Sequence, residues 1–221
     1  TVEQRPPASP GARTRPSDPP AQTLHIPLAI GLLGADGKDL ALKTGAIQAP
    51  DTLILELTQP RQQFVFEDIE QAPTPSLLRD FSAPVIVEYP YTASQLALLM
   101  THDSDPFNRW EAGQRLAIEA MLAAFNDHEP QLLGSQLIDA MARVLRDDTL
   151  DPAFRQLVLT LPSEGMLSEE LSIVDPQRVR EVRNALRAQI GESLQGDWQT
   201  VWEKHANTGP YRPDAAGTGR R

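Results

Sequence analysis

The chain has 221 residues, a hydrophobic fraction of 40% and a formal net charge of −10. That length and hydrophobicity are enough for one large or two ordinary folded domains. The acidic balance argues against nucleic acids and anionic membranes as partners, because both attract basic surfaces. The sequence contains no cysteine, which excludes a disulfide framework and a thiolate metal site.

The sequence shows no apolar run long enough for a membrane span and no visible signal peptide. No apolar run approaches the roughly 18 residues needed to span a bilayer. The start, TVEQRPPASPG, lacks the charged region and apolar core of a signal peptide. We therefore expect a cytoplasmic protein. The chain begins at Thr1 without methionine and ends shortly after Asp214, which resembles a helix N-cap, so the sequence predicts a piece of something larger.

The first part of the chain has the pattern of a β domain. Thirteen of the twenty prolines lie at or before Pro90, and residues 5–22 predict a long mobile Pro-rich loop after a strand remnant at residues 1–4. Five β-like runs follow, at residues 24–33, 38–43, 52–58, 62–69 and 83–91. Ala35-Asp36-Gly37 predicts a tight hairpin turn. Short strands separated by turns predict a β-sandwich over residues 1–91.

From Thr92 to the end of the chain, residues 92–221, the apolar spacing becomes helical and predicts six helices. Thr92 and Gln95 have the pattern of a capping box. Asp-Pro recurs at Asp105, Asp151 and Asp175, each time before an apolar-periodic run, because aspartate caps a helix and proline suits its first position. Successive helices without intervening strands predict a stacked all-helical array.

The stretch THDSDPFNRW (residues 101–110) concentrates His102, Asp103 and Asp105 in four positions. A metal site would need all three side chains to converge. The cap role of Asp105 competes for its oxygen, so we interpret the stretch as a helix-to-helix turn. We predict no catalytic and no metal-binding residue in the chain, and we predict Thr92, Asp105, Asp151 and Asp175 as structural helix caps.

Other candidate motifs have better structural interpretations. GLLGADGKD lacks the phosphate-loop spacing, and DDTLD lacks the glycine and distal glutamate of a calcium loop. Arg180, Arg183 and Arg187 share one helix face, but interleaved glutamates and the acidic chain favour a solvated or interdomain face. The sequence has no G-x-S-x-G and no H-E-x-x-H motif, so nucleophilic and zinc catalysis find no support.

Several blocks in the same order carry a family resemblance: LHIPLAIGLLGADGK, QQFVFEDI, PSLLRDFSAPVIVEY and DPFNRWEAGQ, followed by TLPS, VDPQRVREVRNAL and PYRPD. The chain resembles the region of bacterial aminopeptidase N, a zinc-dependent gluzincin peptidase, that follows the catalytic domain. The most specific blocks are residues 75–89 and 107–116. The family's H-E-x-x-H, its glutamate ligand and its G-A-M-E-N motif match nothing in this sequence, so no catalytic or zinc-binding residue carries over.

The resemblance implies an immunoglobulin-like β-sandwich at residues 1–91 followed by the first part of an all-helical C-terminal domain at residues 92–221. It implies a non-catalytic fragment that links the catalytic domain to the helical domain, in a parent that removes N-terminal amino acids from peptides. Zinc is expected only in the parent's catalytic domain. The expected partners are that catalytic domain and the remaining C-terminal helices, with no nucleic acid and no membrane.

One alternative function and one further expectation remain at this point. The chain could be a stand-alone protein-interaction module built from a β-sandwich and a helical repeat. The last predicted helix also carries an apolar stripe that a stacked array would cover with a neighbour, so an uncovered stripe predicts self-association. That stripe consists of Leu194, Trp198, Val201 and Trp202.

Overall fold

The computed structural model describes residues 1–5, 23–127 and 134–206. The chain divides into two compact units, Thr1–Tyr89 and Pro90–Arg221, which we call the β unit and the helical unit. Strands lie in the first unit and the long helices in the second, so the predicted order of β then α is confirmed. None of the helices in the described parts is long and apolar enough to cross a membrane.

The described part of the β unit contains seven short strands in three antiparallel groups. They are β1 (Val2–Glu3), β2 (Ile26–Leu33), β3 (Leu42–Thr44), β4 (Ile47–Ala49), β5 (Leu53–Leu57), β6 (Arg61–Gln62) and β7 (Thr74–Leu77). Strand β2 is the centre of a three-stranded sheet in the order β5-β2-β7. Strand β1 pairs with β6, and β3 pairs with β4.

Alternation sets the core of the β unit. The side chains of β5 alternate between buried and exposed, so that Leu53, Leu55 and Leu57 face inward. They pack in one cluster with Leu28, Ile30 and Leu32 of β2. Gly37 has a φ of 79° in the hairpin after β2, a left-handed conformation that glycine adopts without a steric penalty.

One predicted strand is only partly formed, and another is not formed. Of residues 62–69, only Gln62 is in a strand, although the Glu67 amide donates to the Lys43 carbonyl at 2.9 Å. Residues 83–91 form no strand, although their burial alternates as a strand's would. Pro84 and Pro90 have no amide hydrogen to donate to a neighbouring strand, which weakens pairing there. The Val85 amide instead turns back to the Ala83 carbonyl at 2.9 Å.

Seven helices lie in the described part of the helical unit, one more than the sequence pattern predicts. They are α1 (Ala93–His102), α2 (Pro106–Asp127), α3 (Ser135–Arg146), α4 (Pro152–Val158), α5 (Glu164–Glu169), α6 (Pro176–Ser193) and α7 (Gln195–His205). The additional helix is α5, a six-residue helix that begins after Ser163. The predicted Pro-rich loop beyond Arg5 and the predicted cap at Asp214 lie outside the described residues.

The helical core follows the predicted faces in α6, where Val179, Val182, Leu186 and Ile190 are all buried. Two other predicted faces are less buried. In α4, Leu157 is 50% exposed, although Val158 is buried. In α7 no residue is fully buried, and Trp202 is 70% exposed.

Candidate functional site: charged residues at the helix ends

The turn between α1 and α2 places His102 in different surroundings from Asp103 and Asp105. His102 ends α1 and is exposed, whereas Asp103 and Asp105 are buried. Asp105 Oδ1 accepts a hydrogen bond from the Asn108 amide at 2.8 Å, and Asp103 Oδ1 accepts from the Asp105 amide at 3.0 Å. Both carboxylates therefore satisfy backbone donors at the start of α2, which is cap chemistry rather than acid–base chemistry.

Arg109 joins the end of α1 to the start of α2. Its Nη2 donates to the Thr101 carbonyl at 2.7 Å and its Nε to the Met100 carbonyl at 3.2 Å. A cation at a helix C-terminus also interacts favourably with the helix dipole. Burial lowers the pKa of the Arg109 guanidinium, and the charges of Asp147 and Asp103 act in the opposite direction. The guanidinium thus serves to fix the angle between two helices.

The other candidate caps occupy helix N-termini. Thr92 accepts from the Gln95 amide, and the Gln95 side chain accepts from the Thr92 amide at 2.9 Å, which completes a capping box. Asp151 Oδ1 accepts from the Ala153 amide at 2.9 Å, and Asp175 Oδ1 from the Gln177 amide at 3.0 Å. Proline follows both aspartates as the first helical residue.

The three histidines that the structure describes lie in different elements. His25 contacts Glu56 in the β unit, His102 ends α1, and His205 Nε2 lies 2.8 Å from Arg155 Nη2. His128 lies outside the described residues. Catalytic zinc requires about three protein ligands around one point. Within residues 1–5, 23–127 and 134–206, no three acidic or histidine side chains are grouped to hold a metal ion, so the described donor set does not fit zinc.

The DDTLD stretch belongs to a charged network at the end of α3, which sequence analysis did not identify. Arg155 is 4% exposed and donates through Nη1 to the Leu145 carbonyl at 3.2 Å and the Asp147 carbonyl at 3.3 Å. Lys204 Nζ lies 2.6 Å from Asp148 Oδ1. That hydrogen bond is the main reason why the pKa of Asp148 is lowered. The pairing of a buried arginine with helix-end carbonyls leaves no visible sign in residue spacing.

A second buried arginine, also not predicted, follows strand β7 in the β unit. Arg79 is 2% exposed and its Nη2 lies 2.6 Å from Asp39 Oδ1. Its Nε donates to Ser76 Oγ at 2.8 Å, and its Nη1 donates to Thr52 Oγ1 at 3.0 Å. The guanidinium lies against Gly31, where an added Cβ would approach its Cζ to 2.1 Å. The Asp39 carboxylate is therefore paired with a buried guanidinium of the β unit.

Two of the three arginines that were predicted to share one helix face line a groove in the helical unit. Arg183 and Arg187 of α6 border a cavity of about 350 Å³ with Leu161 and Trp198. Arg180, on the same helix, is exposed and is not in the groove lining. Of the three arginines on the predicted face, Arg183 and Arg187 thus line the groove and Arg180 lies outside its lining.

Comparison with known families covers both units. The family described as a domain of unknown function, DUF3458, with an Ig-like fold matches residues 1–90. The family described as DUF3458_C, with ARM repeats, matches residues 93–221. The predicted fold class, an immunoglobulin-like β-sandwich followed by a helical array, is confirmed.

Similar proteins are aminopeptidases. Aminopeptidase N of Escherichia coli (strain K12) is 37% identical over 205 residues, which are 91% of this chain and 23% of the relative. Aminopeptidase N of Caulobacter vibrioides is 36% identical over 193 residues, 87% of this chain and 21% of the relative. The chain thus spans less than a quarter of the length of these two relatives.

A solved structure shows the same similarity at the level of the fold. The crystal structure of Legionella pneumophila aminopeptidase A in complex with aspartic acid superposes with a TM-score of 0.73 at 27% identity. The match covers 88% of this chain and 23% of that one. The chain therefore belongs to the DUF3458 and DUF3458_C families, and it is similar to the C-terminal region of bacterial aminopeptidase N.

Proposed function

We propose that this chain is a non-catalytic support segment of a zinc-dependent aminopeptidase. The single observation that carries the proposal is the alignment of nearly the whole chain with less than a quarter of aminopeptidase N. In the proposed parent, a separate catalytic domain binds zinc and uses a zinc-activated water to remove N-terminal amino acids from peptides. The β unit links that domain to the helical unit, which begins the wall around the active site.

The described polar residues support this structural role. The caps at Thr92, Asp105, Asp151 and Asp175 are engaged with backbone amides. The buried arginines Arg79 and Arg155 and the half-buried Arg109 are engaged with carbonyl and carboxylate oxygens. Groups held in this way fix backbone positions and have little freedom to exchange a proton with a substrate. By this proposal the partners of the chain are the parent's catalytic domain and further helices.

The coding region upstream of Thr1 tests the proposal. We expect an open reading frame that continues upstream and encodes H-E-x-x-H with a downstream glutamate. Expression of that longer polypeptide should yield zinc-dependent hydrolysis of a fluorogenic aminoacyl amide. A reading frame that starts at Thr1 would contradict the proposal and favour a stand-alone interaction module. So would a longer polypeptide without the zinc motif.

A further inference from the structure

The groove in the helical unit has the size of a binding site. It lies between α6, α7 and the link from α4 to α5, and its cavity of about 350 Å³ falls within the usual range for ligand pockets. Most of the lining is apolar, and the two charges are both positive. The residues that carry the argument are Leu159, Leu161, Arg183, Arg187, Gly191 and Trp198.

The two groove arginines have no acidic partner among the described residues. Arg183 Nε donates to the Pro162 carbonyl at 2.7 Å, which holds the side chain over the groove. Arg187 follows four residues later on the same helix face and is exposed. Like charges at this spacing destabilise a helix. The chain as a whole is acidic, with a net charge of −10, so an uncompensated cationic pair stands out from its composition.

Gly191 continues the same face of α6, four residues after Arg187. An added Cβ at this position would meet nothing within 4 Å, so packing inside the chain does not require glycine. Alanine is the better helix former, yet glycine adds no side chain to the groove lining. The like-charged pair Arg183 and Arg187 and the glycine at position 191 therefore both lower the stability of α6. Such local conflicts are expected at sites that bind something.

The apolar surface extends beyond the groove along α7. Trp198 lines the groove and is partly buried, and Trp202, one turn later, is 70% exposed. A surface that continues from a cavity onto an adjacent helix suits a helical partner better than a small molecule. Stacked helical arrays such as ARM repeats bury surfaces of this kind under the next helix.

The charge of the groove identifies the chemistry of its occupant. A second copy placed by two-fold symmetry would bring four guanidinium groups together. Residues 207–221 contain one acidic residue, Asp214, against Arg212, Arg220 and Arg221, so their charge does not complement the groove. We propose that the groove binds an acidic helix with an apolar face, from a part of the same polypeptide outside these 221 residues. This inference rests on the proposed function, which makes the chain a segment of a longer enzyme.

Carbodiimide coupling in the longer polypeptide tests the inference. The Arg187→Lys variant introduces an amine that carbodiimide joins to any carboxylate in contact with it. We expect mass spectrometry to find position 187 joined to a glutamate or aspartate of a helix outside residues 1–221. The matched control is Arg180→Lys, on the same helix but away from the groove, which should give little coupling. Phenylglyoxal should also modify Arg187 at least tenfold more slowly in the longer polypeptide than in the 221-residue chain, and Arg180 equally in both.

The outcomes separate the two proposals. A longer polypeptide with aminopeptidase activity, but with equal Arg187 modification and no coupling, would overturn the groove inference alone. Coupling to residues 207–221 or to a second copy would also overturn it. A reading frame confined to these 221 residues would overturn the proposed function and the groove inference together.

Discussion

The two units place their buried arginines in different surroundings. In the β unit, Arg79 binds Asp39, Thr52 and Ser76, and the pair with Asp39 spans 40 positions of sequence. In the helical unit, the half-buried Arg109 and the buried Arg155 bind carbonyls at helix ends within ten positions of sequence, and Arg155 also contacts His205, 50 positions away. In the β unit one buried guanidinium thus joins distant parts of the sequence, whereas in the helical unit the helix-end carbonyls bind arginines that are near in sequence. We therefore expect that replacing Arg79 alone lowers the stability of the β unit more than removing any single helix cap lowers the stability of the helical unit.

The largest expected effect is that of Arg79→Met. Methionine removes every hydrogen bond of the guanidinium and leaves the Asp39 carboxylate without its closest cation. Loss of one partner of a buried ion pair costs about 3–5 kcal/mol. Amide exchange in β2 measures the β unit, and tryptophan fluorescence measures the helical unit, since Trp110, Trp198 and Trp202 all lie there.

The matched control for Arg79→Met is Lys43→Met. Lys43 pairs with Glu67 and Asp68 in the same unit, but its side chain is 36% exposed. We expect a much smaller rise in β2 exchange for this variant. Equal exchange rates for the two variants would contradict the central role of Arg79.

Gly31→Ala should have the next largest effect. The new Cβ would lie 2.1 Å from Arg79 Cζ, and the guanidinium can move away only by giving up its hydrogen bonds. Overpacking of this kind costs about 1–3 kcal/mol. The measurement is again β2 amide exchange.

Gly191→Ala is the control for Gly31→Ala in the other unit. Nothing lies within 4 Å of its added Cβ, so we expect the helical unit to gain up to about 1 kcal/mol. The two glycine substitutions should therefore have opposite signs. A gain in stability at both positions would mean that the Arg79 guanidinium does not need the space that Gly31 leaves.

Cap removal should have a moderate effect on the helical unit. Asp105→Ala leaves the buried Asn108 amide without its acceptor and should cost about 1–2 kcal/mol. Asp151→Ala removes an exposed cap and should cost about 1 kcal/mol or less. Urea unfolding followed by tryptophan fluorescence compares the two. A larger loss for Asp151→Ala would contradict the importance of burial.

The smallest expected effect is pH-dependent. The hydrogen bond from Arg146 is the main reason why the pKa of Asp197 is lowered, so folding favours the ionised carboxylate. This contribution is fully present above the pKa of the unfolded chain and is lost as the pH falls through the lower folded pKa. We expect Asp197→Asn to lower the melting temperature slightly at pH 6. The difference in melting temperature from the unsubstituted 221-residue chain should vanish well below pH 4. A difference that grows with acidification would have the wrong sign.

Sequence reasoning predicted the helical unit more closely than the β unit. Helix signals are local, so Asp151-Pro152 and Asp175-Pro176 identify the starts of α4 and α6 directly. Strand pairing depends on distant partners. Strand β7 contains Pro75 and was not predicted, yet it tolerates proline as an edge strand of the described three-stranded sheet, where it pairs with β2.

The candidate site divides in the same way. The interpretation of THDSDPFNRW as a turn rests on the Asp105-Pro106 pair, which spacing alone reveals. The partners of Arg79 and Arg155 cannot be predicted from spacing, because they are carbonyls and side chains that only the folded chain brings together. The groove was missed for the same reason, since its walls come from three separate segments.

The central claim is that the aspartates at the helix N-termini and the arginines Arg79, Arg109 and Arg155 hold the fold rather than perform chemistry. Calorimetric titration of the 221-residue chain with zinc, beside a fluorogenic aminoacyl amide assay, tests it most directly. We expect no submicromolar zinc binding and no turnover, because Asp103 and Asp105 are engaged with backbone amides and tight zinc needs about three converging ligands. Submicromolar zinc affinity, or turnover abolished by His102→Ala, would contradict the account.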